Sequence, residues 1–459
     1  SNRGGGQTSD VTLKDVSIKS DKDAALKVEG DGNVRLELDG KNELKSGANH
    51  AGVEKNNSDS KGTLTIKDDT GEKGSLTATG GAQGAGIGGA KNNSGSNIEI
   101  TGGTITATGG CNNNEAGNGG AAGIGGGFNG SGTDIKITGG NVTANGSRKP
   151  DGTSGCQGAG IGGGYGKGGT NISISGEDTV VNANGGKYGA GIGGGAMGAG
   201  ENITISDGAH VTANGGAQGA GIGGGSGIGG NGSNITINGG KVNASGAYGG
   251  AGIGGGVNGI GSKVTVSGAA QVTATATGSG PDWSGVGTGA TIGNGGSKTP
   301  DGPVDGKEIQ ADISHLTTGY IHHIIYNPDL DSDGKPDGIL KEWWEFALPK
   351  PIPDGESLDL HVETLKGAPL FFNTRQQGST LRVTTDNLSA RLHGTRQALE
   401  TLQEQGVEQI EFVTTLKTTT LSVADLLAEG GSWFALEHDG LGSRRLSAAQ
   451  AESLKCWRH

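Results

Sequence analysis

Three apolar signals recur in fixed order along the first two thirds of the chain. The first is a short alternating run, as in Leu64-Thr65-Ile66, Ile98-Glu99-Ile100, Ile135-Lys136-Ile137, Ile172-Ser173-Ile174 and Ile203-Thr204-Ile205. The second is another such run, as in Leu76-Thr77-Ala78, Ile105-Thr106-Ala107, Val142-Thr143-Ala144 and Val211-Thr212-Ala213. The third is the isoleucine of Ala-Gly-Ile, at Ile87, Ile124, Ile161, Ile192, Ile222 and Ile253. Degenerate copies, Ala51-Gly52-Val53 and Gly285-Val286-Gly287, flank the series.

Period-two alternation buries one face of a strand and wets the other. Runs this short are unstable alone, but they persist when each pairs with its counterpart one repeat away, about 4.8 Å along a stack. A unit of about 31 residues with three short strands and glycine corners predicts an all-β fold, a right-handed parallel β-helix spanning 33–295. Val34, Leu36 and Leu44 are assigned to the columns of Leu64, Ile66 and Leu76, so a coil starts near Asn33, and residues 1–32 read as an N-terminal cap. Two polar columns fit the same register: Asn97, Asp134, Asn171, Asn202 and Asn234, and then Thr108, Asn145, Asn184, Asn214, Ser245 and Thr275. Stacked amides hydrogen-bond along such columns.

The pattern changes after Gly296. Residues 296–303 read as a turn-rich linker. Residues 304–459 read as a small α+β domain, with strands near Ser357–Leu365, Thr380–Thr384, Glu408–Val413 and Thr419–Val423. A helix is expected over Arg396–Gln405, ended by Gly406, and a shorter one over Ala424–Glu429.

Composition sharpens this picture. The 459 residues include 100 glycines and carry a formal net charge of −12, which disfavours nucleic acid. No apolar run is long enough to span a bilayer, and the opening Ser-Asn-Arg reads as a mature chain whose leader lies elsewhere. Of the three cysteines, Cys111 and Cys156 fall in insertions of neighbouring coils, where a bridge and two free thiols are both open; Cys456 is remote.

Candidate chemistry is sparse. Asp329, Asp331, Asp333, Lys335 and Asp337, with Gly334 after the third carboxylate, match a Ca²⁺ loop of EF-hand or dockerin type, so calcium is the one cofactor expected. Leu340 stands where a bidentate Glu belongs, and a solvated acidic turn is the alternative. Around four residues before the isoleucine column stand Gln83, Gln157, Tyr188, Gln218 and Tyr248; four after it stand Phe128 and Tyr165. Tyrosines, a phenylalanine and glutamines suit sugar stacking and hydroxyl recognition, and they equally suit shielding of a glycine corner. The outward columns lack the paired carboxylates of a lyase or hydrolase, His322-His323 lacks a third zinc ligand, and Asn182 and Asn243 interrupt the threonine rows an ice-binding face would use.

The run Asn33-Val-Arg-Leu-Glu-Leu-Asp-Gly-Lys-Asn-Glu-Leu, then Ala51-Gly-Val, Gly62-Thr-Leu-Thr-Ile and the repeated Gly-Ala-Gly-Ile-Gly-Gly-Gly, resembles glycine-rich β-helical surface proteins of gut Firmicutes. Some of these are carbohydrate-binding-domain proteins, similar to a clostridial β-helix family that binds acidic plant polysaccharide with calcium. The tail from Ala398 to Phe412 looks like a module that follows such repeats in large surface proteins. The resemblance implies an extracellular or cell-surface, glycan-binding or adhesive module; its expected partner is a polysaccharide or a host surface glycan or protein, and the chain is expected to be a monomer. A structural stalk and a polysaccharide-degrading enzyme are the alternatives.

Overall fold

The computed structural model describes residues 6–69, 73–112, 119–147, 156–278, 285–328, 338–346 and 359–454. The chain divides into two compact units, Ser1–Ala347 and Leu348–His459. The first is a right-handed parallel β-helix with three sheets. Among the described residues the first and third sheets have nine strands each and the second has eleven.

The three signals become the three sheets. In the first, Leu64, Ile98, Ile135, Ile172, Ile203 and Ile235 lie in register strand by strand. In the second, Ile105, Val142, Val181, Val211 and Val242 do the same. The third is only two residues wide per coil, pairing Ile124 with Ile87 and Ile161, and Gly125 with Gly88 and Gly162. These inward columns form one continuous core of nearly inaccessible Ile, Val, Leu and Ala. The glycine after each isoleucine is obligatory. Gly125 has φ +130°, and a Cβ there would lie 2.1 Å from the Gly162 carbonyl oxygen.

The polar ladders form as expected and carry a second role. Asn97, Asp134, Asn171, Asn202 and Asn234 all adopt left-handed backbone, φ 51–57°, which Asn and Asp tolerate best among non-glycine residues. Their amides link coil to coil, Asn171 donating to Asp134 at 3.0 Å, Asn202 to Asn171 at 3.2 Å and Asn234 to Asn202 at 3.1 Å. The other column is joined likewise, Asn184 to Asn145 and Asn214 to Asn184 at 2.9 Å, and Thr275 to Ser245 at 2.8 Å.

Several boundaries move. The N-terminal residues form a full first coil rather than a separate cap, with Thr8–Lys14, Ser17–Lys19 and Leu26–Lys27 each entering one sheet. Leu44 belongs to the column of Ala78, and Asn42 occupies that of Leu76. Asn42 is tolerated inside because its oxygen accepts from Val16 N while its amide donates to the carbonyls of Asp39 and Ser75. At the other end the next coil uses Ile292, paired with Ile253, and not the expected Gly285-Val286-Gly287. The linker contains an antiparallel hairpin, Ser297–Thr299 with Gly302–Val304. Residues 304–328 and 338–346, assigned to the C-terminal domain from composition, join the solenoid. Tyr320–Tyr326 adds a parallel strand beside Gln271–Thr277, and Ile339–Phe346 covers it antiparallel.

That segment closes the exposed end. Coil after coil, the Gly-Ile N–H groups of the third strand donate to the next coil's carbonyls, as Gly252 and Ile253 do to Ala290 and Thr291. Thr291 and Ile292 have no next coil, and the Glu308 carboxylate accepts from both N–H groups, at 2.6 and 3.1 Å.

The second unit is α+β, as expected. Leu360–Glu363, Ser389–Thr395, Trp433–Asp439 and Gly442–Leu446 form one antiparallel sheet. Asn373–Gln377, Thr380–Thr384, Gln409–Val413 and Thr418–Ser422 form the other. The helix Arg396–Glu404 is capped by Thr395 and buries Ala398, Leu399 and Leu402. Inside, Arg391 donates to Glu363 and Glu437, and His438 bridges the hydroxyls of Thr414 and Thr419.

Two stability tests follow. Glu308→Ala orphans two buried N–H groups, which costs on the order of 2–4 kcal/mol, read as a lower urea midpoint for the solenoid. Burial, with the Lys417 charge nearby, pushes the His438 imidazole below its ordinary value. The unfolded chain then takes up the proton more readily. The C-terminal unit therefore loses stability as pH falls below about 6.5, the value for an unperturbed histidine. Melting curves from pH 8 to 5 should show the loss, and His438→Gln should flatten it.

Candidate functional site

The solenoid brings the two groups of candidate glycan residues together. Residues four after the isoleucine column donate their backbone N–H to the carbonyls of residues four before it on the preceding coil. The pattern runs through Lys91 to Asn49, Phe128 to Gln83, Tyr165 to Gly120, Ala196 to Gln157, Ser226 to Tyr188 and Val257 to Gln218, all at 2.8–2.9 Å. Phe128, Tyr165, Gln157, Tyr188 and Gln218 therefore share one strip along the solenoid corner. Tyr248 lies one residue outside this ladder. Its coil has an extra glycine, Gly249 takes the carbonyl position, and Tyr248 adopts φ +46°.

The side chains of the strip engage each other closely. Phe128 and Tyr165 stack at 5.6 Å between centroids with planes 7° apart, so each covers a face of the other. Gln218 accepts from the Ser226 hydroxyl at 3.1 Å. The Lys187 ammonium lies 5.3 Å from the Tyr188 ring centre, and burial pushes the Tyr188 phenol above its ordinary value. Gln83 is buried, with φ +70°, and so contributes to the corner rather than to the surface. Gln157 is half-buried and follows Cys156 directly. Cys111 and Cys156 form a disulfide, which ties two neighbouring coils together beside the strip.

The calcium motif, Asp329, Asp331, Asp333, Lys335 and Asp337, lies outside the described residues, as does Cys456. Among the described residues no three His, Cys, Asp or Glu are grouped to hold a metal ion. His322 stacks on Trp344 at 3.7 Å and pairs with Glu342 at 2.5 Å, on the outward side of its strand. His323 points inward, stacked on Trp343.

One cluster escaped the sequence reading. Thr291 Oγ1 is 2.6 Å from His323 Nδ1, and His323 Nε2 is 3.4 Å from a Glu345 carboxylate oxygen. The His323 ring holds the Glu345 carboxyl below its ordinary range, and Gln310 adds a hydrogen bond. Hydroxyl, imidazole and carboxylate in line is a hydrolase-like order, but Thr291 is wholly buried and also hydrogen-bonds Glu308, so its oxygen cannot meet a substrate. The arrangement locks the end cap. Its one sequence signal is Ala290-Thr291-Ile292, a threonine where the repeat has glycine.

A family model described as a beta helix repeat matches residues 135–165, 172–196, 203–226 and 235–257. The chain is a parallel β-helix protein. No curated protein and no solved structure matches it.

The disulfide closes a loop with a sequence separation of 45, for which the chain-entropy relation gives about 4 kcal/mol. Reduction without denaturant should lower the solenoid's melting temperature, and Cys111→Ser with Cys156→Ser should reproduce the decrease.

Proposed function

We propose that this chain belongs to an extracellular surface protein in which the solenoid is a stiff stem and the Gln157–Tyr188–Gln218 strip, with Tyr248 beside it, contacts glycan. The observation that carries this reading is the convergence of two separate sequence columns onto one corner. The strip supplies aromatic rings and amides, the groups that meet the apolar faces and hydroxyls of sugars. The disulfide supports a location outside the reducing cytosol.

The stem alone is the second reading, and a specific observation favours it. Phe128 and Tyr165 cover each other's faces, and Gln218 is tied to Ser226, so part of the strip is engaged within the solenoid. Binding to a glycan array separates the two. The glycan reading expects retention of at least one polysaccharide, weakened about tenfold or more by Tyr188→Ala with Tyr248→Ala. Absence of binding leaves the stem, and unchanged binding in the double variant moves the contact off this strip.

Calcium belongs to the proposal as a stabiliser of the Asp329–Asp337 loop, through carboxylates spaced as in known Ca²⁺ loops. Melting in Ca²⁺ should exceed melting in EDTA, and Asp331→Ala should abolish the difference. Equal melting in both would dismiss the site.

A further inference from the structure

The outward column that follows the second strand changes character along the solenoid. Further along, its side chains hydrogen-bond one another in two groups, Asn145 with Asn184 and Asn214, and Ser245 with Thr275. In the first four coils the same column reads Lys19, Lys45, Thr79 and Thr108. Here the Thr79 and Thr108 hydroxyls make no hydrogen bond, and the Lys19 and Lys45 ammonium groups have no hydrogen-bond or ion-pair partner, among the described residues.

This stretch of exposed lysines and half-buried threonines, without partners among the described residues, coincides with a groove of about 440 Å³. Its walls include Lys19, Lys45, Thr79 and Thr108, the glycine shelf at Gly80, Gly81, Gly109 and Gly110, and Cys111 of the disulfide at its far end. Asp21 also lines it, but lies beyond ion-pair distance of either lysine. Lys19 and Lys45 are register partners on adjacent strands, so their backbones are about 4.8 Å apart. Like charges placed opposite each other destabilise a sheet. A lysine guarding the exposed edge would account for Lys19, but Lys45 lies on the second coil, already paired on both sides.

Among the described residues Lys22 and Lys41 share this lack of an acidic partner, but several other basic groups in the first coils of this chain of net charge −12 are paired. Lys27 sits among Glu29, Glu54 and Asp59; Arg35 pairs with Asp10; Lys67 pairs with Glu37 and Asp69. Two ammonium groups one coil apart can each donate to a different oxygen of a single tetrahedral anion.

We propose that the groove at Lys19, Lys45, Thr79 and Thr108 is a binding site for an oxyanion, a phosphate or sulfate group, chelated between the two lysines. The threonine hydroxyls hydrogen-bond the remainder of the anion or the molecule bearing it. This site is distinct from the glycan strip and does not depend on it.

Phosphocellulose chromatography of the full chain at low salt tests the site, because a protein this acidic is otherwise repelled by the matrix. Retention is expected on phosphocellulose and not on plain cellulose. Lys19→Ser with Lys45→Ser should flow through with an unchanged circular dichroism spectrum, whereas Lys241→Ser, on the same sheet away from the groove, should stay bound. Inorganic phosphate eluting ahead of chloride at matched ionic strength identifies the free group as sufficient. Glucose 6-phosphate eluting ahead of phosphate identifies an ester-bearing ligand. Flow-through of the unaltered protein, retention of the double lysine variant, or elution by all three salts at one ionic strength would overturn the proposal. Equal retention on plain cellulose also overturns it, while leaving the glycan strip standing.

Discussion

Each strand of the solenoid hydrogen-bonds to its own equivalent one coil away, and this in-register stacking constrains everything else. A residue's nearest neighbour is then the residue at the same place in the next repeat, about 4.8 Å distant. Apolar residues accumulate into an inward wall, amides into outward ladders, and glycines into corners where backbones approach too closely for a Cβ. The 3-sheet core needs no large side chains, which explains how a chain with 100 glycines and few aromatics stays ordered.

Stacking leaves a problem at each end, where the ladder stops. At the C-terminal end the solution is elaborate. Glu308 stands in for the carbonyls a further coil would supply, Thr291 replaces a glycine that no longer faces a neighbour, and an antiparallel strand covers the second sheet. Buried His323, held between Thr291 and Glu345, fastens this cap to the last coil. At the N-terminal end the first coil is simpler, and the inward-facing Val11 and Ile18 remain 39% exposed.

The same rule decides where recognition can reside. A side chain satisfied by its counterpart along the column has little left to offer a ligand, as with the Asn145–Asn214 ladder or the Phe128–Tyr165 stack. Interruptions matter more than repeats. Tyr248 is displaced from the strip's regular ladder, and Lys19, Lys45, Thr79 and Thr108 break the polar column. The C-terminal unit follows other physics, with helices and two sheets around a core that includes Phe412 and the Arg391 ion pairs.

The period of the apolar residues determined the solenoid, its three strands per coil and the inward columns from Leu64 onward, and polar residues at fixed places in that period marked both ladders. Local signals also placed the helix at Arg396, because the apolar face of Ala398, Leu399 and Leu402 and the terminal Gly406 lie within a few residues of one another; its Thr395 cap came only with the structure. What the sequence misassigned depends on contacts between distant residues. Composition after Gly296 looks unlike the repeat, yet Tyr320–Tyr326 finds a parallel partner in Gln271–Thr277, and only that pairing makes it solenoid. Asn42 entered the core because the backbone groups of Asp39 nearby and of Val16 and Ser75 on neighbouring coils satisfy it. The convergence of the strip was equally hidden, since Phe128 and Gln83 meet through a hydrogen bond between coils. Periodicity fixes which face a residue occupies; its partners are set by how the coils stack and where the stack ends.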